Sequence, residues 1–69
     1  MNEIISKRIK EIRTESKLSQ AQFGKKLSVS QDNVSLWEKG KSIPTAEHII
    51  SICKIFGVSA DYLLGLKDN

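Results

Sequence analysis

The side chains of this 69-residue chain best suited to chemistry crowd into one stretch, VSQDNVSLWEKGK, residues 29–41. Gln31 can donate and accept hydrogen bonds at once, Asp32 only accepts, and Ser35 does either. Leu36 lays an aliphatic surface beside them, and Lys39 and Lys41 add positive charge. These groups recognise a partner by hydrogen bonding and shape; they are poor at breaking bonds. Residues that could break bonds are scattered. His48 is the only histidine and Cys53 the only cysteine, so no intramolecular disulfide and no multi-cysteine zinc site can form. Ser59 and Asp61 have the spacing of a helix start rather than of nucleophile and base. No glycine-rich phosphate loop or metal-ligand spacing appears. Catalytic residues, a metal and a cofactor are therefore not expected. His48 is expected to be solvated or partly packed, and Cys53 to be a small buried hydrophobe among isoleucines.

A recognition surface needs elements to hold it, and the punctuation of this chain is helical. Ile5, Ile9 and Ile12 recur at spacings of four and three, one face of a helix over 3–16. Ser19 with Gln22 has the S-x-x-Q pattern of a capping box, opening a helix over 20–27 that buries Phe23 and Leu27. Ser30 caps a third helix, 31–39, and Gly40 stops it. Pro44 and Thr45 introduce a fourth over 46–56, with Ile49, Ile50, Cys53 and Phe56 on one side and Gly57 at its end. Ser59 caps a last short helix, 60–64, with Asp61 near its positive end and Gly65 closing it. Nothing alternates with period two for long enough to make a strand. The expected class is all-α, five short helices in one domain, 1–69, since the chain is too short for two.

Only Ser28 and Val29 separate the second and third helices. A link so short forces a sharp crossing, the helix-turn-helix arrangement, instead of an antiparallel hairpin. At about 100° per residue, Val34 and Trp37 fall within about 60° of each other and define the inward direction of helix three. Asp32, Leu36 and Lys39 cluster almost opposite, Ser35 sits beside them, and Gln31 projects from the helix start. That outward set suits the edges of base pairs in a DNA major groove. Gln pairs with adenine in a bidentate way, Asp accepts from the cytosine amino group, Ser reads either kind of edge, and Leu suits the thymine methyl.

Charge agrees with a polyanionic partner. The net charge of +3 is unevenly spread. Residues 1–41 carry nine Lys/Arg against five acids, a net of +4, and residues 42–69 carry Lys54 and Lys67 against Glu47, Asp61 and Asp68, a net of −1. A basic half joined to a near-neutral half suggests a side that faces a polyanion. The N-terminus, MNEIISKRIK, lacks the apolar run of a signal peptide, and no stretch approaches about 18 apolar residues. A soluble, cytoplasmic setting without membrane contact is the expectation.

The segment LSQAQFGKKLSVSQDNVSLWEKGKSIP, followed by FGVSADYLLG, resembles the helix-turn-helix of the Cro/repressor family of bacterial and phage transcription regulators. The likeness runs roughly from Ile9 to Leu66. It implies a lambda-repressor-like fold and a regulator, more often a repressor, that binds a double-stranded DNA operator with no small-molecule effector evident. It also implies roles for individual residues. Gln31, Asp32, Ser35 and Leu36 match the positions that meet base edges, and Asn33 lies nearer the phosphate wall. Gln20 matches the glutamine that bonds a phosphate and braces the recognition helix. Lys39, Lys41 and Ser42 match the loop that grips the backbone, and Arg13 with Glu38 matches an ion pair tying helix one to helix three. Lys7, Arg8 and Lys17 are candidates for further phosphate contacts. The chain departs from the family at three points. Gly24 replaces the usual alanine, both being small enough for helices two and three to approach. Ser28 stands where glycine usually makes the turn, and Lys17 where glycine usually ends helix one.

The rival reading is a helical protein-interaction module, such as an antitoxin-like partner, on the same fold. A DNA reader keeps its exposed apolar surface on helix three, whereas a partner module or a dimer exposes it near Ile43, the end of helix four, Tyr62 or Leu66. The two readings are compatible. Regulators of this type read two half-sites about 34–36 Å apart as dimers, so a weak homodimer through the C-terminal helices is expected.

Overall fold

The computed structural model describes residues 2–68. Its elements are α1 (Asn2–Glu15), α2 (Gln20–Leu27), α3 (Gln31–Glu38), α4 (Ala46–Phe56) and α5 (Ala60–Leu63), with no strand among the described residues. The starts of α2 to α5 are each fixed by the side chain expected there. Ser19 Oγ accepts from the Gln22 amide at 3.1 Å while Gln22 Oε1 accepts from the Ser19 amide at 2.9 Å. Ser30, Thr45 and Ser59 accept in turn from the amides of Asn33, His48 and Tyr62 at 3.2, 3.3 and 3.0 Å. At α4 the reciprocal acceptor is a histidine: His48 Nδ1 lies 3.4 Å from the Thr45 amide, closing a capping box normally completed by Glu or Gln.

The core takes Ile5, Ile9 and Ile12 from α1, Phe23 and Leu27 from α2, Val34 and Trp37 from α3, Ile52 from α4 and Leu63 from α5. Phe23 and Phe56 stack at 4.9 Å between ring centroids, joining α2 to α4. One expectation fails here. Ile50 does not share the inward side of α4; it is 52% exposed, while Ile52 is fully buried. The helix carries isoleucine at 49, 50, 52 and 55, so its apolar residues run round most of the surface and leave the phase ambiguous. Ile49, Ile52 and Phe56 follow the i, i+3, i+7 rule and set the true inward side. Cys53, on the flank of that side, is only partly buried.

Both departures at the turns prove to be real left-handed residues. Lys17 has φ of 59° and Ser28 φ of 60°, where a Cβ costs roughly 1–2 kcal/mol. The turns take the left-handed geometry without glycine and tolerate the strain. Gly24 calls for a second correction. A Cβ built there would lie 2.7 Å from the Val29 carbonyl oxygen and 3.3 Å from Val34 Cγ2. Glycine and alanine are therefore not equivalent at this position, because the link after α2 folds back until its backbone touches residue 24.

Candidate nucleic-acid interface

The α2–α3 turn determines where α3 points. The Val29 amide donates to the Gly24 carbonyl at 2.9 Å and the Ser28 amide to the Lys25 carbonyl at 3.2 Å, so the chain reverses within one turn of helix. Val34 and Trp37 then enter the core, with Trp37 only 3% exposed. Leu36, its chain neighbour, is 39% exposed. Gln31, Asp32 and Asn33 are exposed, and Ser35 is half-buried at the edge of the same face. None of the side chains of Gln31, Asp32 or Asn33 is tied up in a hydrogen bond or ion pair among the described residues. Polar and aliphatic groups thus share one uncommitted surface along α3.

Two sets of contacts hold that surface in place. Glu38, at the last position of α3, receives Arg13 Nε at 2.6 Å on Oε2 and Arg13 Nη2 at 3.1 Å on Oε1. Gln20 Nε2 donates to the same Oε1 at 3.1 Å, and Arg13 Nη1 donates to the Leu18 carbonyl at 3.0 Å. One carboxylate therefore joins α1, the start of α2 and the end of α3. Its side chain is 5% exposed and that of Arg13 14%, so the pair is well shielded from solvent. The hydrogen bonds that Arg13 donates to Glu38 raise its pKa above the ordinary value, against the opposing effect of burial. On the other flank the Trp37 ring packs against the His48 ring at 5.2 Å, 50° from parallel, which seats α3 on the start of α4.

Beyond α3 the chain is held by Leu36 itself, whose carbonyl accepts from the Lys41 amide at 2.9 Å and the Ser42 amide at 3.4 Å. Gly40 makes this possible with φ of 74°. The loop is thereby fixed beside the exposed face, with Lys39 and Lys41 in solvent and Ser42 half-buried. Gln20, held on Glu38, and the loop residues Lys39, Lys41 and Ser42 all lie at the C-terminal end of α3. Arg8 belongs elsewhere. Its guanidinium lies 4.1 Å over the Tyr62 ring, while Tyr62 Oη donates to Glu11 Oε2 at 2.8 Å. Arg8 and Glu11 project from the flank of α1 opposite Arg13 at about 100° per residue, so Arg8 fastens α1 to α5 instead of joining the α3 face. The sequence holds only a faint cue to this cluster, a cation and an acid three residues apart with a lone tyrosine in the last helix.

A family model described as helix-turn-helix matches residues 9–63, and with it the turn, the inward tryptophan and the braced third helix. The chain belongs to the Cro/repressor-type helix-turn-helix family. Among curated relatives it is 37% identical over 59 residues to the HTH-type transcriptional activator BcrR of Enterococcus faecalis, covering 86% of this chain and 29% of that protein. It is 34% identical over 62 residues to repressor protein C2 of Salmonella phage P22, covering 90% and 29%. The transcriptional regulator ImmR of Bacillus subtilis is 32% identical over 65 residues, covering 94% and 50%. The chain thus spans between 29% and 50% of the length of these relatives. Among solved structures, the P22 c2 repressor in complex with a synthetic operator superposes with a TM-score of 0.81 at 33% identity, covering 87% of this chain and 91% of that one. The solution structure of the same repressor's DNA-binding domain also gives 0.81, at 33% identity over 93% of this chain and 84% of that one. The family consists of regulators rather than enzymes. No helix among the described residues is long and apolar enough to cross a membrane.

Proposed function

We propose that this chain binds double-stranded DNA sequence-specifically as a cytoplasmic transcriptional regulator, repressing by occupying an operator. In this reading residues 1–69 act as one DNA-binding domain without catalytic activity, and α3 enters the major groove. Gln31, Asp32, Ser35 and Leu36 meet base edges. Gln20, Asn33, Lys39, Lys41 and Ser42 contact the sugar-phosphate backbone and set the register. The Arg13–Glu38 pair keeps α3 at the angle that lets both sets bind together. One observation carries the reading: Leu36 faces solvent beside Gln31 and Asp32 while Trp37 is buried, so the outward side of α3 has donors, acceptors and an apolar patch free for a partner. The operator complex of the P22 c2 repressor supports it by analogy.

A second contribution comes from the apolar residues left in solvent. Ile43 is 48% exposed, Ile55 48% and Leu66 71%, all in the region expected for a protein partner. They favour a weak homodimer on two half-sites over a separate protein-binding function, since the α3 face is also free. The test is selection of bound sites from random-sequence duplexes, followed by titration at increasing salt. An enriched two-half-site motif, with affinity falling steeply as salt rises, is the expected result. Equal binding to all duplexes would overturn the proposal, and capture of protein partners only would favour the interaction module.

A further inference from the structure

Asp32 is an unusual residue to turn toward DNA. It is exposed, sits in the first turn of α3, and makes no ion pair among the described residues, so nothing in the fold neutralises its charge. Against a polyanion such a carboxylate is repelled on every sequence that offers it no donor. The bases differ sharply in what they offer in the major groove. Guanine presents only acceptors, thymine an acceptor and a methyl group, and adenine a donor beside an acceptor; cytosine alone presents a donor without an acceptor. An ionised carboxylate is acceptor-only, so cytosine is the one base edge it matches without an opposing lone pair.

Leu36 lies four residues further along α3, about 6 Å at the helical rise, and such pairs are neighbours on one helix face. Stacked bases are about 3.4 Å apart along a strand, so whatever Leu36 touches lies within about two base steps of the Asp32 contact. An aliphatic group there matches the C5 methyl of thymine.

Resting on the DNA-binding reading above, we infer that Asp32 and Leu36 form a pyrimidine-reading pair, and that Asp32 selects cytosine by weakening binding to all other sequences. Asp32 takes the cytosine N4 amino group, and Leu36 covers the methyl of a thymine within two steps on the same strand. The carboxylate contributes little net affinity. Its effect is to deepen the gap between the right site and the rest, a use of repulsion for discrimination. A competing explanation is that Asp32 only complements the positive end of α3. That role would affect the melting temperature but leave base preference alone.

The experiment uses the site selected from random duplexes by the unaltered chain, then compares Asp32→Ala and Leu36→Ala on that site and on random-sequence duplex. Asp32→Ala should lose about tenfold of its preference for cytosine at one position while binding random duplex more tightly than the unaltered chain. Replacing the neighbouring thymine by deoxyuridine, which removes only the methyl group, should cost the unaltered chain about fourfold and Leu36→Ala nothing. Cytosine preference that survives in Asp32→Ala, or equal weakening on both duplexes, would overturn the inference. So would insensitivity of the unaltered chain to deoxyuridine. If the unaltered chain selects no site at all, the DNA-reading assignment of α3 falls first and takes the pair with it.

Discussion

Removing one carboxylate should loosen the recognition helix measurably without touching its exposed face. Glu38 accepts three hydrogen bonds, two from Arg13 and one from Gln20, at 2.6, 3.1 and 3.1 Å. Hydrogen bonds to charged groups contribute about 1.5–3 kcal/mol when the partner is otherwise buried. Arg13 keeps 14% side-chain exposure, so water replaces part of the lost acceptor and the smaller end of that range applies. Glu38 also lies at the negative end of the α3 dipole, and its removal relieves about 0.3–1 kcal/mol. The balance for Glu38→Ala is a loss of about 0.5–1.2 kcal/mol. In a domain this small each kcal/mol lowers Tm by about 4–8 °C, so the melt followed by far-ultraviolet circular dichroism should fall by about 2–10 °C without DNA. Glu38→Gln retains one acceptor and should lose roughly half as much. A change in Tm smaller than about 1 °C would refute the reasoning, because it would mean that the three donors find equal partners in water and that α3 is held by Val34 and Trp37 alone.

The other predictions concern the turns and the exposed face. Lys17→Gly and Ser28→Gly should each stabilise by about 0.5–1 kcal/mol in urea titration, since relief of left-handed strain exceeds the extra chain entropy of glycine. Gly24→Ala should destabilise by about 0.5–2 kcal/mol on the same titration, the 2.7 Å approach of its Cβ to the Val29 carbonyl outweighing the gain in helix propensity. Gln31→Ala should lose about 1–3 kcal/mol on the selected site and relax preference at one base, measured by fluorescence anisotropy. Lys41→Ala should weaken all sequences alike and reduce the salt slope by about one.

The helix starts were legible because a cap is local: Ser19, Ser30, Thr45 and Ser59 each satisfy an amide three residues on, and spacing alone reveals that. The direction of α3 was legible for a similar reason, since its only strongly apolar inward pair is Val34 and Trp37. α4 was misread at Ile50 because four isoleucines in seven residues make a helix with no clear dry side; only the packing of Ile52 and Phe56 against other elements fixes the phase. Gly24 was misjudged because a contact with the carbonyl five residues on depends on how far the turn closes, and no periodicity reports that. The Arg8–Tyr62–Glu11 cluster joins residues up to 54 apart, beyond the reach of any local pattern.

Seven of the eight residues of α3 divide into two sets, with Ser35 half-buried between them. Val34, Trp37 and Glu38 are spent on the fold: two are buried and the third is held by α1 and α2. Gln31, Asp32, Asn33 and Leu36 are exposed, and their side chains contribute little to the core. Substitution in the second set therefore costs little stability, while substitution in the first tilts or frees the whole face. A helix so arranged can have its base preference changed one residue at a time on a constant scaffold. The exception is Leu36, whose carbonyl also anchors Lys41 and Ser42; because that anchor is backbone, its side chain remains as free to vary as its neighbours.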